Sequence, residues 1–175
     1  MSVSIEIENG KSFQIRAILP KIEKALKLIL GLTYEPKVIV DFVRDAEGET
    51  DSQDLTWIKP GMREGFSVKL KGEQIVASVH SREGVNYFAI VPERWQAIAL
   101  CAAIAIVIAE HSGSEIRDTQ STYTLKEYLK PDEFLQAIKV HKIFDDINAA
   151  TNYFFYRLPS SAKKKSEGSD DNEPL

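Results

Sequence analysis

The N-terminal segment alternates polar and apolar residues on both sides of an Asn-Gly pair. Apolar residues take every second position over 3–7 and again over 13–17. Asn9-Gly10 lies between the two runs and tolerates the positive φ angles of a type I′ turn, so the pattern predicts a β-hairpin. The competing interpretation, one long helix from Ser12, would put Pro20 in the helix interior and remove a backbone hydrogen bond. We therefore predict a hairpin followed by a helix that begins near Pro20.

The next segments switch from helical to strand periodicity. Residues 20–30 carry apolar side chains three and four positions apart, which predicts an amphipathic helix, and Gly31 is a suitable end for it. Four segments rich in β-branched and aromatic residues follow. We predict strands at 37–43, 66–70, 75–80 and 87–91. The connections are too short for crossover helices, so the pairing should be antiparallel.

The second half of the chain is predicted to be helical. A helix over 92–110 should end near Gly113, and because it is apolar on nearly every side it should lie at the centre of the domain. Its most apolar stretch, 97–109, is too short to cross a bilayer, which takes about 20 residues. A last helical region is predicted over 131–156, with a break near 145–148. Residues 151–158 hold four aromatic residues, which we expect to pack against the sheet rather than hold a ligand.

These elements predict an α+β fold. We expect an antiparallel sheet of about four to six strands, packed against a long buried helix and one or two further helices. Residues 1–158 are predicted to form a single domain. Residues 159–175 contain three lysines, four acidic residues and Leu175 as the one large apolar residue, which predicts a disordered charged tail.

Composition narrows the classes of function. The formal net charge of -4 disfavours nucleic-acid binding, and Lys163, Lys164 and Lys165 are interpreted as part of a solvated tail. The single cysteine, Cys101, lies in an apolar run and is predicted to be a small core residue in a reducing compartment. The N-terminus lacks the pattern of a secretory signal, so we expect a cytoplasmic protein that does not enter a membrane.

The sequence shows no constellation of catalytic residues. The three histidines, His80, His111 and His141, have neither the helical HxxxH spacing nor a CxxC partner of a zinc site, so we predict no metal. No GxSxG, GxxxxGK[ST] or GxGxxG motif is present, and we predict no cofactor and no enzymatic activity.

An acidic segment stands out from this background. Five carboxylates and one arginine give residues 44–54 a charge of -4, and an aromatic residue follows at once. Charge can steer a basic protein partner while an aromatic anchor supplies desolvated contact. The alternative is a solvated loop with Trp57 in the core. The candidate partner-binding residues are Asp45, Glu47, Glu49, Asp51, Asp54 and Trp57.

The segment from Trp95 to Asp118 combines three features. An alanine-rich apolar helix is followed by the small-residue turn His111-Ser112-Gly113-Ser114 and then by Ile116-Arg117-Asp118, an apolar-x-Asp step. This pattern resembles bacterial immunity proteins of toxin–immunity systems. Ser114 stands where those families often have a second glycine. The resemblance implies a small cytoplasmic α+β antitoxin that binds and blocks a toxin and has no catalytic residues. The alternative is an acidic adaptor or secretion chaperone for an effector protein, and the oligomeric state stays open.

Overall fold

The chain forms an α+β fold in a computed structural model that describes residues 4–45, 48–49, 56–81 and 84–159. These residues contain an eight-stranded antiparallel sheet, a two-stranded sheet, four α-helices and a 3-10 turn at Trp95–Ala97. Five strands of the large sheet have four to eight residues, and the other three have two. The predicted class, an antiparallel sheet against a long buried helix, is confirmed. The predicted tail lies, from residue 160 on, outside the described residues.

The strands and helices are numbered in chain order. They are β1 (Ile5–Glu8), β2 (Phe13–Gln14), α1 (Ile15–Leu30), β3 (Val38–Asp45), β4 (Gly48–Glu49), β5 (Trp57–Ile58), β6 (Gly65–Leu70), β7 (Val76–Ser81), β8 (Tyr87–Pro92), α2 (Ile98–Ser112), β9 (Ile116–Arg117), β10 (Tyr128–Leu129), α3 (Pro131–Ile138) and α4 (Ile147–Tyr156).

The predicted N-terminal hairpin is wrong. The large sheet has the order β10-β9-β1-β8-β7-β6-β3-β4, so β1 pairs with β8 and β9, whereas β2 pairs with β5 in the small sheet. Asn9 does adopt a positive φ of 55°. A Cβ on Gly10, however, would lie 2.5 Å from the ring of Phe88, so the glycine lets this buried ring approach the backbone. Alternation identified strand character but not the strand partner.

Helix α1 begins at Ile15 and not near Pro20, which lies inside it. Ile15 and Ile18 are both buried, and the N–H of Ile15 donates to the carbonyl oxygen of Thr56 at 3.1 Å. Burying two isoleucine side chains contributes about 3–6 kcal/mol, which offsets the roughly 3 kcal/mol cost of an interior proline. The predicted end is confirmed, because Gly31 caps the helix with a φ of 65°.

Helix α2 lies at the centre of the domain, as predicted. Every residue from Ile98 to Ala109 is buried, because β1, β7 and β8 cover one side of the helix and the other three helices cover the rest. The segment Trp95–Ser112 is long and apolar enough to span a membrane, and 83% of it is buried within the fold. Cys101 is fully buried and is confirmed as a core residue; burial raises the pKa of its thiol well above the usual value. Pro92, the predicted helix start, ends β8 instead.

The last helical region is interrupted over residues 139–146. In this segment the N–H groups of Val140 and Phe144 donate to the carbonyl oxygens of Ile29 and Gly31 at the end of α1. The aromatic residues of α4 are packed, as expected, but the main partners of α4 are α1, α2 and the 3-10 turn and not the sheet. The ring of Phe155 lies 4.7 Å from that of Trp95. The helices therefore form a second layer that covers one face of the sheet.

Candidate partner-binding surface

The large sheet has one covered face and one open face. A cross-strand row on the covered face is fully buried; its members are Val43, Phe66, Val79, Ile90 and Ile5. The next row faces away from the helices; its members are Arg44, Gly65, His80, Ala89, Glu6, Arg117 and Tyr128. Antiparallel sheets commonly leave one face solvated in this way. Side chains that meet a partner can therefore come from the open face or from its ends.

One end of the large sheet gathers several connecting segments. Because the strands are antiparallel, the end of β3, the start of β6, the end of β7 and the start of β8 lie at the same end, which we call the loop end. The chain segments 46–64 and 82–86 join these strand ends. The described residues of the acidic segment, 44–45 and 48–49, consequently belong to the loop end, as does Trp57.

The structure places the acidic segment through its backbone. Asp45 closes β3 and pairs with Gly48, and Arg44 pairs with Glu49 in β4. The side chains of Asp45 and Glu49 lie outside the described part of the chain. Glu47, Asp51 and Asp54 lie outside it altogether. Where these five carboxylates point stays a prediction.

The side chain of Trp57 is 56% exposed, so the alternative that places it in the core is wrong. Trp57 pairs with Gln14 between β5 and β2, and the following residue, Ile58, is fully buried opposite Phe13. Side chains alternate along a strand, so the burial of Ile58 turns Trp57 outward. The N–H of Ile15 also binds the carbonyl oxygen of Thr56. The indole is thus presented to solvent by a backbone that is fixed on both sides.

Two further apolar side chains are exposed on turns at the loop end. Met62 is 47% exposed and Val85 is 41% exposed. Their turns are joined, because the N–H of Gly84 donates to the carbonyl oxygen of Gly61 at 3.1 Å, and the N–H of Gly61 donates to Oγ of Ser81 at 2.7 Å. We call Trp57, Met62 and Val85 together the Trp57 surface. Trp57 lies on β5, three residues after the acidic segment, and Met62 and Val85 lie on the two joined turns.

A charged cluster lies on the open face at the edge of the sheet formed by β10, β9 and β1, away from β3 and β4. Nη1 of Arg117 lies 3.3 Å from Glu6 and 3.5 Å from Glu8, its Nε lies 3.0 Å from Glu127, and its guanidinium lies 5.7 Å from the ring centroid of Tyr128. The hydrogen bond to Glu127 raises the pKa of the guanidinium. Arg117 therefore joins β1, β9 and β10, which is a structural role.

The segment behind the resemblance to immunity proteins also has structural roles. Gly113 ends α2 with a φ of 68°. The buried carboxylate of Asp118 accepts the N–H groups of Thr122, Tyr123 and Thr124 at 2.9, 2.8 and 3.0 Å, and the hydroxyl of Tyr123 donates to the carbonyl oxygen of Ile98 at 2.7 Å. These contacts hold the loop after β9 against the start of α2. The resemblance itself stays a prediction.

Sequence reasoning missed a pocket at the loop end. Arg44, Arg63 and His80 line a pocket of about 300 Å³, whereas the sequence alone suggests Arg44 only as part of the acidic segment and His80 only as a possible metal ligand. The short turn between β6 and β7 was the signal that could have found it, since it fixes the register that pairs Gly65 with His80. Among the described residues, no three His, Cys, Asp or Glu side chains form a cluster that could hold a metal ion.

Comparison with known proteins supplies no relative from which a role could be transferred. No protein-family model, no curated protein and no solved structure matches the chain. The function has to be argued from the Trp57 surface and the open face of the sheet.

Proposed function

We propose that the protein is a non-catalytic protein-binding module, an immunity protein that binds and neutralises a cognate bacterial toxin in the cytoplasm. One observation carries the proposal: Trp57 exposes more than half of its side chain while its strand is held by β2 and by the burial of Ile58. Tryptophan is enriched among the residues that dominate binding energy at protein interfaces. A fixed backbone lowers the entropy lost when such a residue is buried by a partner.

The charge of the neighbouring segment indicates a basic partner. Residues 44–54 carry five carboxylates and one arginine, and the described part of this segment, residues 44–45 and 48–49, lies at the loop end. A concentrated negative charge speeds the encounter with a positively charged surface, and apolar contact then slows dissociation. The acidic segment and the Trp57 surface would thus control different steps of one binding event.

The proposal is tested by capturing the partner and then measuring its toxicity. The full-length protein would be immobilised, the bound protein from the native host identified, and that protein expressed in a test bacterium with and without this chain. We expect growth arrest that co-expression relieves. A captured protein that is harmless, but is kept soluble or unfolded by this chain, would instead support the adaptor or secretion chaperone.

The contribution of Trp57 is tested by Trp57→Ala, with Tyr34→Ala as a matched control. Tyr34 is a comparably exposed aromatic residue, 42% exposed, in the connection between α1 and β3. Trp57→Ala should weaken toxin binding by about 2 kcal/mol, or roughly thirtyfold, mainly through faster dissociation. Tyr34→Ala should leave the affinity unchanged. Equal affinities of the two variants would show that Trp57 does not belong to the interface.

The acidic segment is tested by a pair of charge-matched variants. Asp45→Asn, Glu47→Gln and Glu49→Gln together remove three negative charges from the loop end, whereas the control substitutes glutamine for three glutamates at the opposite end of the sheet, Glu35, Glu73 and Glu93. The first variant should associate more slowly and depend less on salt; the control should behave like the unchanged protein. Identical association rates at low and physiological salt would exclude the acidic segment.

A further inference from the structure

The open face of the sheet has a gap between two basic side chains. Arg44, Gly65 and His80 are direct cross-strand neighbours on β3, β6 and β7. Adjacent strands lie about 4.8 Å apart, so the side chains of Arg44 and His80 leave the sheet roughly 10 Å from each other. The backbone of Gly65 lies between them. A Cβ on Gly65 would come within 2.8 Å of the carbonyl oxygen of Val79. We call the resulting pocket of about 300 Å³ the Gly65 notch.

The polar groups around the Gly65 notch are predominantly cationic. The guanidinium of Arg44 lies 5.6 Å from the ring centroid of Phe42, and Arg63 lines the pocket from the turn before β6. Glu64 is the one carboxylate among the described lining residues; it is 8% exposed and accepts the N–H of Lys59 at 3.2 Å. Among the side chains that the structure describes, no carboxylate forms an ion pair with Arg44 or Arg63; the side chain of Glu49, whose backbone pairs with Arg44 on β4, lies outside them. Two guanidinium groups and an imidazole thus face a common space.

We propose that the Gly65 notch binds an oxyanion, a carboxylate or a phosphate group, between Arg44, Arg63 and His80. Guanidinium groups donate pairs of N–H bonds in a plane that matches the two oxygens of either group. Gly65 leaves the space in which the anion would sit, and a larger residue there would fill it. This site is independent of the toxin-binding role proposed above.

The electrostatics of His80 support an anion site. Burial in the pocket lowers the pKa of His80, and the positive charge of Arg44 lowers it further. Arg44 on β3 is the charge that acts on the ring, and Arg63 and Glu64 line the same pocket from the turn before β6. Glu49 on β4 pairs with Arg44 through its backbone, and the position opposite His80 on β8 is the uncharged Ala89. A bound anion would favour the imidazolium and raise this pKa. Anion binding should therefore tighten as the pH falls.

The test is a proton NMR titration of the three histidines in the full-length chain. The pKa of each imidazole would be measured in chloride at constant ionic strength, then with inorganic sulfate, whose charge stays constant from about pH 5 to 8, and separately with acetate. We expect the anion to raise the pKa of His80 by about one unit and to leave that of His141 unchanged. A response to sulfate alone assigns a phosphate-type site, and a response to acetate alone assigns a carboxylate site. A response to both assigns a general oxyanion site.

Two arginine variants and one control variant show whether the anion binds in the Gly65 notch. Arg44→Gln and Arg63→Gln should each weaken binding about tenfold, the loss expected for one charge-assisted contact. Lys69→Gln removes a positive charge from the same face of β6, where Lys69 pairs with the exposed Asp41, and should bind normally. The proposal is overturned if Lys69→Gln weakens binding as much as Arg44→Gln. It is also overturned if His80 and His141 respond alike to both anions, since binding would then be adventitious.

Discussion

Replacing Asp118 by alanine should cost more stability than the loss of any exposed carboxylate. Its side chain is 1% exposed and is the acceptor for three consecutive backbone N–H groups, those of Thr122, Tyr123 and Thr124. The bonds to Thr122 and Tyr123 are buried, and the bond to Thr124 is partly buried. Alanine offers no acceptor, so the loop keeps its shape only with unsatisfied donors.

The size of the loss follows from those three bonds. A buried N–H left without a partner costs about 1–3 kcal/mol, so the two buried donors alone cost about 2–6 kcal/mol. Removing a buried charge recovers part of this, because the carboxylate no longer has to be desolvated. We expect Asp118→Ala to lower the free energy of unfolding by about 3–4 kcal/mol. For a chain of this size that lowers the melting temperature by roughly 10 °C.

Urea and thermal denaturation followed by circular dichroism would measure the effect. The control is Glu115→Ala, which removes the same charge from an exposed position three residues earlier and should change stability by less than about 0.5 kcal/mol. Asp118→Asn keeps one acceptor oxygen and should fall between the two. A loss below about 1 kcal/mol for Asp118→Ala would refute the reasoning, because it would mean that the three N–H groups find other acceptors.

Three other substitutions have definite expected outcomes in urea denaturation. Gly31→Ala should cost about 2 kcal/mol more than Gly113→Ala. Both positions have positive φ, but only at Gly31 would a Cβ clash with the carbonyl oxygen of Lys142, and equal losses would contradict this clash. Phe155→Ala should cost about 3–5 kcal/mol, because its buried ring packs on Trp95; a loss under about 1 kcal/mol would show that the site collapses. His80→Gln should reduce the loss of stability between about pH 7.5 and pH 5. Because the pKa of His80 is lowered in the folded state, the folded state binds fewer protons than the unfolded state as the pH falls below the ordinary value of 6.5, so the free energy of unfolding falls with the pH. Identical pH profiles of the two proteins would contradict the lowered pKa.

The elements that could be predicted from the sequence are those whose pattern is decided locally. Helix α2 is apolar on every side, and no arrangement other than a central one buries all of those residues. Gly31 was predictable for the same reason, because a left-handed cap at the end of an amphipathic pattern favours glycine. The strands β6, β7 and β8 follow one another through short turns, so their antiparallel pairing could also be inferred.

The errors arose where distant parts of the chain decide the outcome. Strand β1 pairs with β8 and β9, about 80 and 110 residues away, and nothing in its own alternation distinguishes those partners from a neighbouring strand. The start of α1 depends on Ile15 and Ile18 finding a core, which outweighs the local penalty of Pro20. Local propensity is a weak guide when tertiary burial opposes it.

The candidate surfaces also combine features that are decided locally with features that depend on distant parts of the chain. The charge of the acidic segment can be counted from the sequence, but the outward direction of Trp57 depends on β5 pairing with β2. The Gly65 notch needs the alignment of three strands, and sequence reasoning treated Arg44 and His80 as unrelated residues. Residues that act together across a sheet become visible only when the register is known.

The interior position of β1 has a consequence for synthesis of the chain. β1 is the first strand to be made, yet its neighbours β8 and β9 end at residues 92 and 117. At roughly 5–20 residues per second, β1 waits on the order of ten seconds with both edges unpaired. An unpaired apolar strand is prone to aggregation, and charged residues on it oppose edge-to-edge pairing. Glu6 and Glu8, which bind Arg117 in the finished sheet, would thus keep the nascent chain soluble before Arg117 has been translated.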